Sequence, residues 1–588
     1  MSAGFARLRS IPTGWLLLLP VAVFLAAFFL YPVLQLLVLS LTERSGAWGF
    51  GHYARLFNSP IYFAVLSKTL QIAFWTTLLC LLAGYPVAYA IARAAPASRT
   101  RLMLWVLLPF WTSFLVRTFA WIVLLGRSGV VNDALLRLGL TEDGLDLLYS
   151  LAGVLVGMVQ ALMPLAILTL VPVMEKINRD LERAASTLGA RGGSSFWRVY
   201  FPLSLSGVAA AGLLVFISAL GFFITSALLG SPRETMIGQL IIQQIQEVMN
   251  WGFGGALSAL LVAATLVIFL LYDRLIGLSS LSGGTAPAGE ARGPAQGHGS
   301  RLGRGVLATL GHGSDAAGRL LDRLGLGGLP RLAGRASRVA VLGFLALPAL
   351  FLVPVSVSTG AFIEWPPSLF SSRWYAELAA SPEWLAAAWH SFSIAAASAL
   401  LALLIGTPAA FALVRFRLPF APLLMAIILA PLIVPRIVTA VGLYHLFARL
   451  GLVGTSLGLI IGHAVLSVPF VTVTVMAVLR HHDWRLEQAA ATMGARRLAT
   501  LWRVTLPLIR NGLIAAYLFA FVTSFDELTI ALFVTGGLFV TLPKQMWDSA
   551  LLNVSPLLAA VSVVLLLVIT AFVLVAERLS RAGGSKGA

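Results

Sequence analysis

Apolar residues along this chain gather in long unbroken runs, not in one-faced stripes or strict alternation. Twelve runs approach the ~20 residues a helix needs to cross the hydrocarbon core of a bilayer. They lie at about 14–40, 69–92, 102–125, 150–173, 206–229 and 254–276, then at about 337–360, 389–414, 420–447, 456–479, 511–534 and 556–576. Helices that are apolar on every side, repeated this often, predict an all-α integral membrane protein of about twelve transmembrane helices. The first run follows Arg7 and Arg9. It is too long for a secretory signal and has no clear small-residue cleavage site, so it reads as an uncleaved first helix.

Composition agrees. The 588 residues are 59% hydrophobic and 11% charged, with a mean hydropathy of +0.92, which excludes an ordinary soluble globular protein. The net charge of +18 raises nucleic acid as a partner, but the basic residues sit in short gaps between apolar runs. Arg93, Arg99 and Arg101 follow run two; Lys176, Arg179, Arg183, Arg191 and Arg198 follow run four. The gap after run three instead carries Asp133, Glu142, Asp143 and Asp146. By the positive-inside rule the even gaps and both termini are cytoplasmic. Cys80, the only cysteine, reads as a small buried hydrophobe.

The gaps divide the chain into two six-helix halves, 1–278 and 337–579, which run parallel because six crossings return the chain to the same side. Between them, 279–336 is rich in Gly, Ala, Arg and Ser and reads as a flexible, basic cytoplasmic linker, with a short surface helix over about 306–326. Residues 580–588 form a tail.

The halves also match residue by residue. Leu181-Glu-Arg-Ala-Ala-Ser-Thr-Leu-Gly-Ala190, Trp197-Arg-Val199 and Pro202 reappear 305 positions later as Leu486-Glu-Gln-Ala-Ala-Ala-Thr-Met-Gly-Ala495, Trp502-Arg-Val504 and Pro507. Gly84-Tyr-Pro-Val-Ala-Tyr-Ala-Ile-Ala-Arg93 reappears 322 positions later as Gly406-Thr-Pro-Ala-Ala-Phe-Ala-Leu-Val-Arg415. The first match fills the loop between runs four and five in each half (about 176–203 and 481–508). An early acid, Glu182 or Glu487, favours a short helix there. Ala184, Ala185, Ala489 and Ala490 permit close approach of another surface. Gly189 and Gly494 end that helix, and Pro202 and Pro507 suit the first turn of the next. The shape suits docking, not catalysis.

This segment resembles the EAA loop of permease subunits from ATP-binding-cassette importers. The resemblance implies a type I importer permease fold, in which each loop forms a coupling helix that sits in a groove on the ATPase. Glu182, Ala184, Ala185, Gly189 and Pro202 match in one half, and Glu487, Ala489, Ala490, Gly494 and Pro507 in the other. Arg183 and Gln488 stand directly before the paired alanines, so the acid comes one position early. Leu108-Pro-Phe-Trp-Thr-Ser-Phe-Leu-Val-Arg117 in one half and Ser524-Phe-Asp-Glu527 in the other resemble the two permease subunits of spermidine/putrescine-type importers, fused here into one chain. Arg436 stands where such subunits usually carry an acid.

The resemblance implies an inner-membrane permease rather than an enzyme. Its implied partners are two ATPase copies, an extracellular or periplasmic substrate-binding protein and a small cationic solute such as a polyamine. No G-x-x-x-x-G-K-[ST] phosphate cradle occurs in the chain, so ATP and Mg²⁺ are expected on the ATPase and no cofactor on this chain. Charge inside a span is costly and marks function. Arg117, Arg436, His463, Asp526 and Glu527 are therefore candidates for the substrate path, together with Trp111 of the Leu108–Arg117 motif, against pairing or helix capping as the alternative role of the acids. Ferric iron, opines and aminophosphonates are alternative cargoes within the class. A major-facilitator transporter is the alternative class, but the loop Arg93-Ala-Ala-Pro-Ala-Ser-Arg-Thr-Arg101 lacks the acid and glycine of that family's signature.

Overall fold

A computed structural model describes residues 11–43, 46–111, 113–276, 298–360, 365–367, 369–537, 539–552 and 555–584. The described residues form helices, with two isolated bridges and no sheet. This is the economical solution in lipid, where each backbone group must find its partner within the segment. Ten helices are long and apolar enough to cross a membrane: Thr13–Leu39, Pro60–Arg93, Phe114–Arg137, Leu151–Glu175, Gly192–Leu220, Trp251–Tyr272, Leu329–Ser356, Pro382–Arg415, Ser456–Arg480 and Arg497–Phe525. A bent pair, Ala421–Ile433 with Arg436–Leu450, makes the eleventh, and the shorter apolar helix Pro556–Ala571 takes the twelfth position.

Four expectations need correction. Spans three and nine are broken. Span three runs as Pro96–Trp111 and then Phe114–Leu125, and the two pieces of span nine meet at 93°. Pro435, which cannot donate an amide hydrogen and restricts the residue before it, sits at the second break. Spans five and eleven begin at Gly192 and Arg497 and end at Leu220 and Phe525, so their starts lie about four turns and their ends about two and a half turns earlier than their apolar runs suggest. The polar starts of these helices are ordered because each packs against the short helix of its matched loop. Helix also replaces much of the expected flexible linker. Residues 298–323 form one helix, and span seven starts at Leu329 instead of 337. Residues 279–297 lie outside the described part. The final helix runs on to Gly584, through half of the expected tail.

Within each half, the second, fourth and fifth spans pack as a bundle. Gly84 and Gly406 let span two meet span four, and span eight meet span ten. A β-carbon there would stand 3.2 Å from Ile167 in one half and 2.9 Å from Val471 in the other. The halves interlock through their first helices. Span one packs on span eight and span nine, and span seven packs on both pieces of span three. Gln160 of span four donates to the Leu345 carbonyl of span seven at 3.0 Å. The larger buried cluster accordingly draws on both halves, from Leu18 to Ile569.

Candidate functional site

The two matched loops adopt the same local structure. Helix Asp180–Thr187 ends at Gly189, and helix Arg485–Thr492 ends at Gly494, with φ of +85° and +86°. Each end closes in the Schellman pattern: Gly189 donates to Ser186 and Ala190 to Ala185; Gly494 donates to Ala491 and Ala495 to Ala490. An added β-carbon at either glycine meets nothing within 4 Å. The requirement is therefore left-handed backbone, not space.

Beyond the turn the next helix starts at Gly192 or Arg497 and passes through one widened turn, Phe196–Tyr200 or Leu501–Thr505. Pro202 and Pro507 follow directly. They stand inside long helices, not in a first turn as expected, and the widened turn makes room where a proline ring would strike the preceding carbonyl.

The acid of each loop is tied to the end of the second span of its half. Glu182 pairs with Arg93, whose guanidinium lies over the rings of Tyr89 and Tyr200 at 4.5 and 5.1 Å. Glu487 pairs with Arg415 at 2.5 Å and accepts from Thr505 Oγ1 at 2.6 Å, while Arg415 lies 5.1 Å from the Trp484 ring. Arg93 and Arg415 close the second matched sequence segment. The two repeats thus meet in space as one joint, made once per half. Sequence reasoning quoted both arginines without pairing them, because the two segments have different offsets.

The outward face of each short helix is apolar and unpartnered among the described residues. Leu181 and Leu188 are exposed in one half, Leu486 and Met493 in the other, with Leu188 89% and Met493 81% exposed. Ala184 and Ala489 between them are exposed, whereas Ala185 is half-buried and Ala490 buried. Of the four alanines, one per half faces outward and one faces the permease body. Leu188 and Met493 escaped the sequence reading, although a lone apolar residue seven positions after a leucine on a polar helix was the available signal.

The charged candidates within the spans gather at one corner. Asp526 follows the end of span eleven, and its carboxylate accepts from the Phe114 amide at 3.0 and 3.2 Å. It thereby caps the second piece of span three, Phe114–Leu125, in the opposite half. The mirror joint pairs Gly221 with the start of the second piece of span nine, Arg436–Leu450, where a β-carbon would stand 3.5 Å from the Arg436 nitrogen. Glu527, 1% exposed, accepts from Thr529 and Ile530 amides at 3.1 and 2.7 Å and caps helix Thr529–Val534. His463 meets Ser524 at 2.8 Å and stands 3.9 Å from Glu527. Arg117 is buried and donates to Gln160 at 3.4 Å. Arg436 is exposed and within electrostatic reach of both acids. The side chain of Trp111 lies outside the described residues.

Comparison with known proteins places this geometry. The family model described as "Binding-protein-dependent transport system inner membrane component" matches the chain twice, over 81–280 and 402–582. The spermidine/putrescine transport system permease protein PotB of Haemophilus influenzae is 35% identical over 252 residues, covering 42% of this chain and 88% of that protein. PotC of Escherichia coli K12 is 31% identical over 243 residues, covering 41% of this chain and 91% of that protein. Among solved structures, a bacterial alginate ABC transporter in complex with an alginate pentasaccharide-bound periplasmic protein aligns at 20% identity and a TM-score of 0.40. It covers 45% of this chain and 96% of its own.

Proposed function

Since the chain belongs to the binding-protein-dependent transport system inner membrane components, an ABC importer permease family, we propose that it couples two ATPase subunits to the movement of a small cationic organic solute of the polyamine class. The matched coupling joint carries this reading. Each short helix offers Leu181 and Leu188, or Leu486 and Met493, to a groove on an ATPase at the cytoplasmic face. Its acid is bound to the end of span two or span eight, so a push on the helix reaches the bundle instead of being lost in a loose loop. ATP and Mg²⁺ belong to the ATPase; a substrate-binding protein outside the cell delivers the cargo; one copy of this chain supplies both halves of the path. Both termini are cytoplasmic in this arrangement.

The crossed corners extend the same logic. Span eleven ends on Asp526, which holds the start of the outer piece of span three. Span five ends on Gly221, which abuts the start of the outer piece of span nine. Rocking one bundle therefore moves the broken span of the other half, the motion that alternating access requires.

One observation favours a different cargo within the same class. Asp526 and Glu527 already bind backbone amides, while Arg436 is exposed at the same corner. An open cation with engaged acids suits an anionic solute or complex, such as an aminophosphonate, opine or ferric chelate, better than a polyamine.

Uptake into vesicles holding this chain, its ATPase and its binding protein tests both parts. Labelled spermidine should accumulate only with ATP. Leu188→Asp with Met493→Asp should abolish accumulation at unchanged permease level, because a charge replaces the apolar contact. Uptake driven by a proton gradient without ATP would refute the coupling. ATP-driven uptake of an aminophosphonate but not of spermidine would move the cargo to the second reading.

A further inference from the structure

The helix His298–Arg323, which joins the two halves, presents three distinct faces. Its inner face lies on the start of span five in the first half. Asp315 accepts from the Gly193 and Ser194 amides at 2.9 and 3.2 Å and from the Ser194 hydroxyl. The carboxylate thereby serves as the N-cap of a 29-residue helix, where negative charge is favoured. Gly311, one turn back, lets the two backbones approach; a β-carbon there would stand 3.2 Å from Ser194 Cα. Burial raises the Asp315 carboxyl, but the Ser194 and Gly193 bonds and the nearby Arg319 charge outweigh it and hold the group below its ordinary value.

The second face is apolar and exposed. Val306, Leu310, Leu320 and Leu324 are all exposed. At ~100° per residue they fall within about 40° of one line along the helix. The third face carries His312, Arg319 and Arg323, exposed and about a third of a turn from the apolar line.

The helix ends in a turn at Gly325, with φ of +73°. Beyond it Leu326 and Leu329 are exposed, and span seven carries exposed Leu332, Val339, Leu347, Leu350 and Val353 on one side. That side of a spanning helix faces lipid. An exposed apolar stripe that ends a few residues before such a helix, with Arg319 and Arg323 on the adjoining face, has the pattern of a helix lying in the membrane interface.

We propose that the helix His298–Arg323 lies on the inner leaflet, with Val306, Leu310, Leu320 and Leu324 in the acyl boundary, and that it anchors the first coupling loop to anionic lipid. The second half has no such brace at the matching helix start, Arg497, among the described residues, so the membrane surface bears on one coupling loop and not on the other. The choice of leaflet rests on the orientation proposed above.

Full-length chain in nanodiscs of phosphatidylcholine and phosphatidylglycerol tests this. Single cysteines from Leu310→Cys, Leu320→Cys and His312→Cys, in a Cys80→Ala background, carry an environment-sensitive fluorophore. Nitroxide-labelled phospholipid should quench and blue-shift the labels at 310 and 320 and leave that at 312 unchanged, with or without ATPase bound. Equal quenching at all three positions, or none, overturns the proposal. Labels at 310 and 320 that ignore lipid but become protected when ATPase is added place the stripe on that protein and also overturn it. Hydrogen exchange of 305–324 in the unsubstituted chain covers the case of a variant that fails to fold. It should slow when phosphatidylglycerol replaces phosphatidylcholine; exchange at one rate in both lipids overturns the anionic-lipid anchor. In sealed vesicles, an impermeant quencher at the 312 label reports the leaflet separately. The wrong side would refute the orientation and leave the lipid contact standing.

Discussion

Glu487 is 7% exposed and bonded to both Arg415 and Thr505, while Arg415 is about half-exposed. The acid is the desolvated partner, so neutralising it removes the attraction and leaves a hydrogen-bonding amide in its place. Glu487→Gln should cost about 1 kcal/mol at this joint, since Arg415 keeps contact with water. ATP-driven uptake should fall roughly fivefold at normal permease abundance. Exchanging the charges, Arg415→Glu with Glu487→Arg, should restore part of it. Uptake that falls equally in the exchanged pair would mean the residues act separately. Glu182 and Glu487 were visible in the sequence as the acids of a repeated loop. Their arginines were visible only as the ends of another repeat, because an ion pair between segments 89 or 72 positions apart leaves no trace in spacing.

Among the elements, the proline-containing helices behave least like their sequence. Pro507 reads as a helix start because proline is tolerated there. It stands instead ten residues inside Arg497–Phe525, behind the widened turn Leu501–Thr505. Pro507→Ala restores an amide and improves intrinsic helix propensity by up to ~3 kcal/mol. The turn should then relax to a regular one, rotating the coupling helix by about 100°. Spin-label distances from the coupling helix to span ten should shift, and uptake should fall although the protein inserts normally. Unchanged distances would show that the widened turn does not depend on the proline. The breaks in spans three and nine were similarly hidden. A short interruption inside an apolar run leaves hydropathy unchanged, and periodicity carries no information where every face is apolar. The linker helix shows the opposite case. Gly lowers propensity, but an apolar line at helical spacing and a capping contact from Asp315 supply tertiary support.

At the scale of the molecule, the halves are interlocked, not merely joined. Span one packs on spans eight and nine of the other half as well as on span six of its own, and span seven packs on span three as well as on span twelve. A chain divided between 297 and 298 and expressed as two pieces should therefore reassemble and transport. Either piece expressed alone should be degraded or aggregate, because each would expose the surface its partner's first helix covers. A first piece that is stable and monodisperse by itself, as judged by size-exclusion chromatography in detergent, would contradict the interlock.

The sequence by itself determined the membrane location of the chain, its two halves and the place of the two matched loops. These rest on local properties: runs of apolar residues set by bilayer thickness, and repeats whose chemistry is confined to ten or twenty neighbouring positions. Only the tertiary structure decided that each loop acid, Glu182 or Glu487, is held by the end of another span and that Asp526 and Glu527 serve as caps. It alone decided that the third and ninth spans are broken and that the linker is a docked helix. Each of these depends on which distant segments meet in space, and one-dimensional pattern carries no record of that.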